Sequence, residues 1–334
     1  MNLDILWVLL AVIASFIVAL LIAPVMIHLL TKKKAEQTVL GYVKQHEHKT
    51  GTPTMGGWIF VIPAILFCFI FFSPLTFVAA MAMLAYAVLG FLDDFIKVRY
   101  KRNLGLKVYQ KIIGQVGAAV IIAVFCYKSE FIGTSIRLPF TQKIWDLSWG
   151  IIPFVIFIYL AMTNGVNLTD GLDGLAGWTS VAYFGTFTLL LWGYYCDAKA
   201  SSDFSLANEM FSLATFSSAM FGGLLGYLWF NSNPSSIMMG DTGSLALGAA
   251  AATVAVFSRQ PFLILFAGIM YVISCVSVIL QVLVYKATKK RIIKMAPFHH
   301  HLELSGYKES KITIWYFIIS IIGGIISIIA ARVV

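Results

Sequence analysis

The chain alternates between long apolar segments and short polar stretches. A helix needs about 20 apolar residues to cross the hydrocarbon core of a bilayer. Ten segments meet or approach this length, and we predict that each forms a membrane-spanning helix. They cover approximately residues 5–30, 58–72, 75–92, 112–127, 150–162, 175–196, 211–229, 245–257, 262–285 and 314–333. Their continuous apolar character excludes an outer-membrane barrel, whose strands alternate apolar and polar residues in pieces of about 10 residues.

The composition supports an all-α integral membrane protein. Hydrophobic residues make up 60% of the 334 positions and charged residues only 12%, against about 45–50% and about 25% in soluble proteins. The first segment is too long for the core of a signal peptide, so we predict that it is retained. The sequence shows no internal repeat and no low-complexity stretch, and we expect a single domain over residues 1–334.

The basic residues are concentrated in three of the polar stretches. Residues 32–49, 97–111 and 286–311 hold five, six and seven of the 24 lysines and arginines. Because positive residues stay in the cytoplasm, these stretches are predicted to be cytoplasmic and both termini to lie outside. Topology and contact with anionic membrane lipid thus explain the net charge of +9, and no nucleic-acid partner is expected. The acidic residues of the outer loops, Asp197, Asp203 and Glu209, are expected to be solvated.

Asp93 and Asp94 directly follow the third apolar segment. Carboxylates are costly near a bilayer, and the C-terminal end of a helix disfavours anions because of its dipole. A nearby cation should therefore compensate them. The pair could bind Mg²⁺, which prefers oxygen ligands, or one member could act as a base toward a phosphate or hydroxyl. The alternative is a pair of interfacial charges that terminate the helix.

Two further polar loops are predicted on the same face. Residues 164–174 contain three glycines and two aspartates, and glycine lets a ligand approach the backbone closely. Asn167 adds an amide for directional hydrogen bonds, although the stretch could also be a tight turn with side-chain caps. Residues 231–244 contain Asn231 and Asp241. Asp241 could hold Mg²⁺ against a diphosphate or simply cap the helix that follows.

Two other polar stretches carry candidate ligand contacts. Lys49 and the hydroxyl-rich stretch around Thr54 suit phosphate or sugar contacts, although the proline and glycines there could be only punctuation. A later loop contains His299, His300 and His301. Three consecutive histidines cannot all ligate one metal from a regular helix. We interpret them as hydrogen-bond donors to phosphate or as partial ligands, and not as a zinc site; the alternative is a surface histidine run.

Five motifs, in this order, resemble the polyprenyl-phosphate N-acetylhexosamine-1-phosphate transferase superfamily, and within it the phospho-N-acetylmuramoyl-pentapeptide transferases. They are Gly-Thr-Pro-Thr-Met-Gly-Gly at 51–57, the Asp93-Asp94 pair, Asn-Leu-Thr-Asp-Gly-Leu-Asp-Gly-Leu at 167–175, Met-Gly-Asp-Thr-Gly-Ser at 239–244 and Pro-Phe-His-His-His-Leu-Glu at 297–303. The similarity covers essentially the whole chain. The aspartate pair occurs across the superfamily, whereas residues 53–57 and 297–303 single out the pentapeptide branch.

The resemblance implies an Mg²⁺-dependent enzyme of peptidoglycan synthesis. UDP-N-acetylmuramoyl-pentapeptide and undecaprenyl phosphate would give lipid I and UMP at the cytoplasmic face of the bacterial inner membrane. The family also implies a multi-pass protein of ten transmembrane helices, an active site in cytoplasmic loops, and a homodimer.

The same resemblance implies roles for individual residues. The catalytic set would be Asp93, Asp94, Asp241, Lys111 and His299. Asp241 would be the main Mg²⁺ ligand, and the aspartate pair would engage metal and lipid phosphate. Lys111 would contact phosphate, and His299 to His301 would hold the sugar-pentapeptide or diphosphate end. Apart from the resemblance, Lys97 and Lys111 are expected at the lipid phosphate because they follow Asp93 and Asp94 in the same loop. The nucleoside-diphosphate pocket and its rim would be formed by Lys49, Thr54, Asn167, Asp170, Gly171, Leu172, Asp173 and Asn231.

One position departs from the family pattern. The family commonly has a phenylalanine three residues before the metal aspartate, where this chain has Met238. A polarisable thioether can still cover an aromatic face, so Met238 is assigned to the substrate-binding set. The departure bears on uracil stacking and on the response to nucleoside inhibitors, and not on the reaction.

Two mechanisms and two rival functions are left open by the residues. In a single displacement the lipid phosphate attacks the β-phosphate of the donor, and Asp93 or Asp94 takes any proton. In the other mechanism an aspartate is the nucleophile and forms a covalent intermediate. The nearer rival function is a transferase of UDP-N-acetylglucosamine, which the histidine motif disfavours. A transporter would carry polar residues near mid-membrane, whereas here the acidic residues gather at one face.

Overall fold

The computed structural model describes residues 3–35, 51–102, 104–141 and 143–332. The long helices are α1 (Leu3–Lys32), α2 (Trp58–Ile70), α3 (Pro74–Tyr100), α4 (Val108–Lys128), α5 (Ile151–Thr169), α6 (Leu175–Ala200), α7 (Phe204–Asn231), α8 (Gly240–Phe257), α10 (Ile269–Thr288) and α12 (Glu309–Arg332). Two short helices are α9 (Ile264–Ala267) and α11 (Phe298–Glu303). A hairpin pairs β1 (Ser135–Arg137) with β2 (Ile144–Asp146) in antiparallel register.

Each predicted apolar segment corresponds to a helix. Within the described ranges, nine helices are long and apolar enough to cross a membrane. The remaining one, α2, has only 13 residues and is about 20 Å long, shorter than the hydrocarbon core of about 30 Å. The chain is therefore an all-α membrane protein. It also has a short hairpin of two three-residue strands, which the apolar pattern did not predict.

The third helix extends two turns beyond its apolar run. It begins at Ser73, whose side chain accepts a hydrogen bond from Thr76 N (3.2 Å) in a capping box. The expectation that Asp93 and Asp94 lie at the C-terminal end of this helix is wrong, because α3 continues through both aspartates to Tyr100. Lys97 lies one turn after Asp93, with its Nζ 2.6 Å from the carboxylate. This i,i+4 pair lets the helix carry buried charge past the apolar segment.

The fifth helix also continues into its polar motif. The prediction that residues 164–169 form a loop is wrong, since α5 ends at Thr169. Thr163 and Thr169 donate their hydroxyl protons to carbonyls one turn earlier, at 2.7 and 2.8 Å, so these polar side chains are satisfied inside the helix. Asn164 and Asn167 therefore project from a helix and have fixed directions.

The ninth predicted segment, 262–285, is broken. A 3₁₀ turn at Pro261–Leu263 leads into α9, and Gly268 separates α9 from α10. A side chain at Gly268 would lie 2.8 Å from the Ile264 carbonyl, so glycine permits the close packing at this break.

The most buried helices form the centre of the bundle. The apolar windows of α7 and α8 are 83% and 89% buried, whereas those of α1 and α10 are 22% and 17% buried. Small residues let α8 pack tightly: a Cβ on Gly248 would lie only 2.5 Å from Thr163 Cα of α5. The start of α8, which carries Asp241, is thus held against α3 and α5.

The acidic residues at the end of the helices away from Asp241 accept hydrogen bonds or form an ion pair. The expectation that all of them are solvated is wrong for Glu209. Glu209 is buried and accepts a hydrogen bond from Leu75 N (3.0 Å), so it caps α3 and is not solvated. Asp203 caps α7 by accepting from Leu206 N (3.0 Å). Asp197 pairs with Arg332, with 2.5 Å between Oδ2 and Nη1. Each carboxylate here has its own donor.

Candidate active site

Three carboxylates from two helices converge at one end of the bundle. Asp93 and Asp94 of α3 and Asp241 of α8 each offer one oxygen, and these oxygens lie within 4.8 Å of one another. We call this group the acidic triad. The helices meet closely because Gly90 faces the backbone of Asp241, where a Cβ would overlap the carbonyl. Asp93 and Asp94 are both 3% exposed, so neither charge is solvated.

Two lysines are shared among the three carboxylates. Lys97 Nζ lies 2.6 Å from Asp93 Oδ2 and 2.9 Å from Asp241 Oδ2. Lys111, in the first turn of α4, reaches the same oxygen of Asp241 at 2.9 Å. The chain thus supplies the compensating cations that buried carboxylates require, but with two positive charges for three negative ones.

The other oxygen of Asp241 is held from α5. Asn167 Nδ2 donates to Asp241 Oδ1 (2.6 Å) and also lies 2.8 Å from Ser244 Oγ. Ser244 in turn donates to the Gly240 carbonyl (3.0 Å). The carboxylate orientation is therefore fixed by a neighbouring helix and by its own helix.

Asp94 receives hydrogen bonds from the beginning of α8. Its Oδ1 accepts from Asp241 N (3.1 Å), and its Oδ2 accepts from Thr242 N (2.8 Å) and Thr242 Oγ1 (2.7 Å). The alternative that Asp241 itself caps α8 is wrong, since the helix has no side-chain cap of its own and Asp241 lies in its first turn. Gly240 has φ +68°, and a Cβ there would collide with Asp94 and Thr54, so both conformation and space require glycine.

The donor set fits a divalent cation. Carboxylate oxygens are hard ligands, and three of them surround one small volume at the end of α3 and the start of α8. The triad retains a formal negative charge after both lysines are counted. A metal ion can therefore be held at the acidic triad.

The end of α5 connects the triad to the histidine helix. Asn167 contacts Asp241, and four residues later Gly171 faces His299, where a Cβ would overlap the imidazole Nε2. His299 is fully buried, while Gly171 is exposed. The triad and the histidines thus belong to one continuous site.

Asp173 links two loops to the start of α12. Its backbone N–H donates to Glu309 Oε1 (2.5 Å), and its Oδ2 accepts from Ser235 N (3.1 Å) and Asn233 Nδ2 (3.3 Å). Asn233 Nδ2 also lies 3.2 Å from Glu309 Oε2. Thr313 Oγ1 donates to the Asp173 carbonyl (3.3 Å). Glu309 therefore ties the loop after α5 to the loop after α7.

The three histidines have different surroundings. They lie in α11 and not in a loop as predicted, because residues 298–303 form one helical unit that begins after Pro297. His300 Nδ1 is 3.1 Å from Glu303 Oε2. His301 Nδ1 accepts from Lys294 N (3.2 Å). Successive positions on a helix point in different directions, so the run is not a single surface patch.

Three other predicted residues border this region. Asn231 is buried, accepts from Gly174 N (3.1 Å) and donates to the Ile237 carbonyl (2.8 Å), which joins two loops. Leu172 is 4% exposed and packs in a small apolar cluster with Leu175. Asp170 directly follows α5 and is half-buried.

The stretch before α2 lies against the loop before α8. Met238 N donates to the Pro53 carbonyl (2.8 Å), and Gly56 N donates to the Met238 carbonyl (2.9 Å). Thr54 is buried between them, close to Gly240. Lys49 lies outside the described residues.

Three residues of the site were missed by sequence reasoning. Thr242 and Ser244 belong to a motif that was singled out, but their partners on α3 and α5 could not be read from it. Glu309 had no local signal, because its contact with Asp173 spans 136 positions of sequence.

Comparison with known proteins identifies the class of this fold and site as a membrane-embedded transferase. The sequence model of glycosyl transferase family 4 matches residues 75–259, which include the whole acidic triad. A phospho-N-acetylmuramoyl-pentapeptide-transferase of Clostridium novyi is 41% identical over 316 residues, covering 93% of each chain. Proteins of the same name from Listeria welshimeri and Thermoanaerobacter sp. are 41% and 40% identical, covering 94% and 96% of this chain and 95% and 97% of theirs. The chain belongs to the phospho-N-acetylmuramoyl-pentapeptide-transferase family and is a transferase.

Proposed function

We propose that this enzyme transfers phospho-N-acetylmuramoyl-pentapeptide from its UDP donor to undecaprenyl phosphate. The products are lipid I and UMP, and the reaction belongs to peptidoglycan synthesis. The observation that carries the proposal is the acidic triad with its two shared lysines, in a chain of this family. Such a cluster suits phosphoryl transfer, which depends on positioning and on neutralising phosphate charge.

Mg²⁺ is the metal we assign to the acidic triad. When bound, it would neutralise the donor diphosphate and stabilise the departing UMP. Asp241 and Asp93 are its proposed ligands, because Oδ2 of each carboxylate points to the same place, where both contact Lys97 Nζ. Asp94, on α3, is the third proposed ligand, and it also accepts hydrogen bonds from the start of α8.

The aspartate pair divides its work in this proposal. Asp94 is a positioning residue, since the three hydrogen bonds that it accepts from the start of α8 orient Asp241. Asp93 takes any proton carried by the lipid phosphate, and Lys97 beside it stabilises the negative charge that then stays on the phosphate.

The phosphoryl step is a single displacement. An oxygen of undecaprenyl phosphate forms a new bond to the β-phosphorus of the donor, and the bond from that phosphorus to the bridging oxygen of UMP breaks. Lys97 and Lys111, which both reach Asp241, transfer their contacts to phosphate oxygens as substrate arrives.

The surrounding loops bind the donor in this scheme. Asn167, Asp170, Gly171 and Asp173 would border the nucleoside diphosphate, with Leu172 contributing its backbone. Asn231 and Thr54 would hold the loops in place, and Met238 would cover the uracil. His299 would act at the diphosphate, and His300 and His301 would hold the sugar-pentapeptide end. Lys49 is assigned to the rim of the pocket from its motif alone.

We also propose that the acidic triad faces the cytoplasm of the bacterial inner membrane, in a homodimer. The support for sidedness is the concentration of lysine and arginine in the stretches on the triad side. Cys196 is exposed near the far end of α6, whereas Cys68 and Cys126 are buried. A membrane-impermeant thiol reagent should therefore label Cys196 from outside intact cells, and protection of Cys196 there would reverse the orientation.

The activity is tested by UMP release from the purified protein with undecaprenyl phosphate. UDP-N-acetylmuramoyl-pentapeptide and UDP-N-acetylglucosamine are offered separately, with Mg²⁺ or with EDTA. We expect turnover of the first donor only, and its loss in EDTA. Turnover of the second donor alone would contradict the pentapeptide assignment. Trapping of a covalent phospho-sugar enzyme would contradict the single displacement.

A further inference from the structure

Two arginines lie over one tyrosine ring at the end of the bundle opposite the acidic triad, and a third arginine lies beside them. The guanidinium carbons of Arg137 and Arg332 lie 5.3 and 5.1 Å from the centre of the Tyr194 ring. Arg259 neighbours Arg137, whose backbone N–H donates to the Arg259 carbonyl (2.9 Å). Only six of the 24 lysines and arginines lie outside the three basic stretches, and three of those six meet here.

These arginines outnumber the carboxylates beside them. Arg332 pairs with Asp197, but within the described part of the chain neither Arg137 nor Arg259 has a carboxylate at salt-bridge distance. Asp146, the carboxylate of the hairpin, accepts from Ser148 N instead (3.0 Å). Burial and the neighbouring Arg137 lower the pKa of Arg259. The cluster therefore has an excess of positive charge that an anion would relieve.

The fold holds the guanidinium groups of Arg259 and Arg332 in place and fixes the hairpin that carries Arg137. Arg259 Nε donates to the Ser135 carbonyl (3.0 Å), which fixes the hairpin on the turn after α8. Phe140 N donates to the Ala330 carbonyl (2.8 Å), which fixes the same hairpin on α12. Gly193 of α6 makes room for Arg332, because any Cβ there would overlap the guanidinium. Fixed arginines lose little freedom when they bind a ligand.

The cluster lies beside exposed aromatic residues. Trp145 is paired with Ile136 in the hairpin, next to Arg137, and is 52% exposed. Trp149, in the turn before α5, is 73% exposed. Tryptophan is typical of the membrane–water interface, so this end of the bundle lies at the depth of lipid headgroups.

We propose that Arg137 and Arg259, with Arg332 beside them, bind the phosphate of an anionic phospholipid in the leaflet opposite the active site. The planar guanidinium matches two phosphate oxygens at once, and Arg137 is exposed. The bound phosphate stabilises the junction of the hairpin, α6 and α12. This site lies at the far end of the helices from the acidic triad and is independent of the transfer reaction.

The test is a lipid titration of the full-length protein by native mass spectrometry, with phosphatidylglycerol and phosphatidylcholine as probes. The wild type is compared with Arg137→Gln, with Arg137→Lys and with the matched control Lys143→Gln, which removes an exposed charge from the same hairpin. We expect Arg137→Gln to weaken the tightest phosphatidylglycerol adduct about tenfold, the loss of one charge-assisted phosphate contact. Arg137→Lys should recover part of this affinity, and Lys143→Gln should match the wild type.

Several results would overturn the proposal. Equal weakening by Arg137→Gln and Lys143→Gln would indicate diffuse attraction and no site. If Arg137→Gln bound phosphatidylglycerol as tightly as the wild type, the arginines would serve only to pack the hairpin. Displacement of phosphatidylglycerol by millimolar inorganic phosphate, with equal protection against thermal unfolding, would indicate a free-anion site. Wild-type UMP release by each variant would show that it is folded.

Discussion

The carboxylates at the two ends of the helix bundle differ in how their negative charge is compensated. At one end, the carboxylates of Asp4, Asp197, Asp203 and Glu209 each have their own cation or backbone donor. At the other end, three carboxylates, two of them buried and Asp241 half-buried, share two lysines. The first arrangement stabilises the fold as it stands. The second keeps an uncompensated negative charge in a buried place, which is costly unless a cation or a charged substrate completes it.

Whether a carboxylate has its own donor distinguishes structural from functional carboxylates better than its exposed fraction does. Glu209 is as buried as Asp93, at 3% exposure, yet its acceptor atoms serve one helix start. Asp94 combines both uses, because it caps α8 and also belongs to the acidic triad. Substitutions matched between the two ends can therefore test the comparison directly.

The largest effect is expected for Asp241→Asn. This change removes the charge that both lysines and the proposed metal contact, so UMP release should fall by about 10²–10³ or more. Asp197→Asn, at the opposite end, should leave turnover unchanged. Near-normal turnover of Asp241→Asn would remove the acidic triad from the chemistry.

Lys111→Met should have the next largest effect. The lysine lies 2.9 Å from Asp241 and is proposed to meet phosphate, so turnover should fall by about 10². Lys111→Arg should recover part of it. Lys199→Met, which removes a lysine paired with Asp4, should keep full turnover, and a similar fall in both lysine variants would contradict the comparison.

Asp94→Ala should lower both stability and turnover. Loss of the cap on α8 should reduce the free energy of unfolding by about 1–2 kcal/mol, and misplacement of Asp241 should reduce turnover more than tenfold. Asp203→Ala removes the cap of α7 and should cost similar stability with normal turnover. Thermal unfolding and UMP release measured on the same samples distinguish the two outcomes.

Glu309→Gln should have the smallest effect, confined to donor binding. One amide oxygen can still accept from Asp173 N, but the contact with Asn233 changes. The donor KM should rise by roughly threefold to tenfold, the value of one hydrogen bond, with kcat within about twofold. Lys308→Gln, an exposed neighbour, is the control. A fall in kcat alone would place Glu309 in the chemistry instead.

Much of the fold could be predicted because a continuous apolar segment of sufficient length is enough to predict a membrane-spanning helix. Each predicted segment has its helix, but the ends of α3 and α5 were misplaced since both helices continue through polar residues. The polar end of α3 accepts hydrogen bonds from the start of α8, and the polar end of α5 donates hydrogen bonds to it, so both extensions depend on a partner from elsewhere in the bundle. The break at Gly268 was also missed, and so was the hairpin, whose hydrogen bonds to α12 and to the turn after α8 are long-range.

The sequence by itself determined that the chain is an all-α membrane protein, which family it resembles, and that Asp93, Asp94 and Asp241 are chemically notable. These properties follow from composition and from short motifs. Only the tertiary structure decided that Asp94 caps the helix of Asp241, that two lysines serve three carboxylates, and that Glu209 is buried. The reason is that hydrogen bonds and ion pairs join residues more than a hundred positions apart, such as Lys111 and Asp241. No local pattern records which buried charge meets which donor.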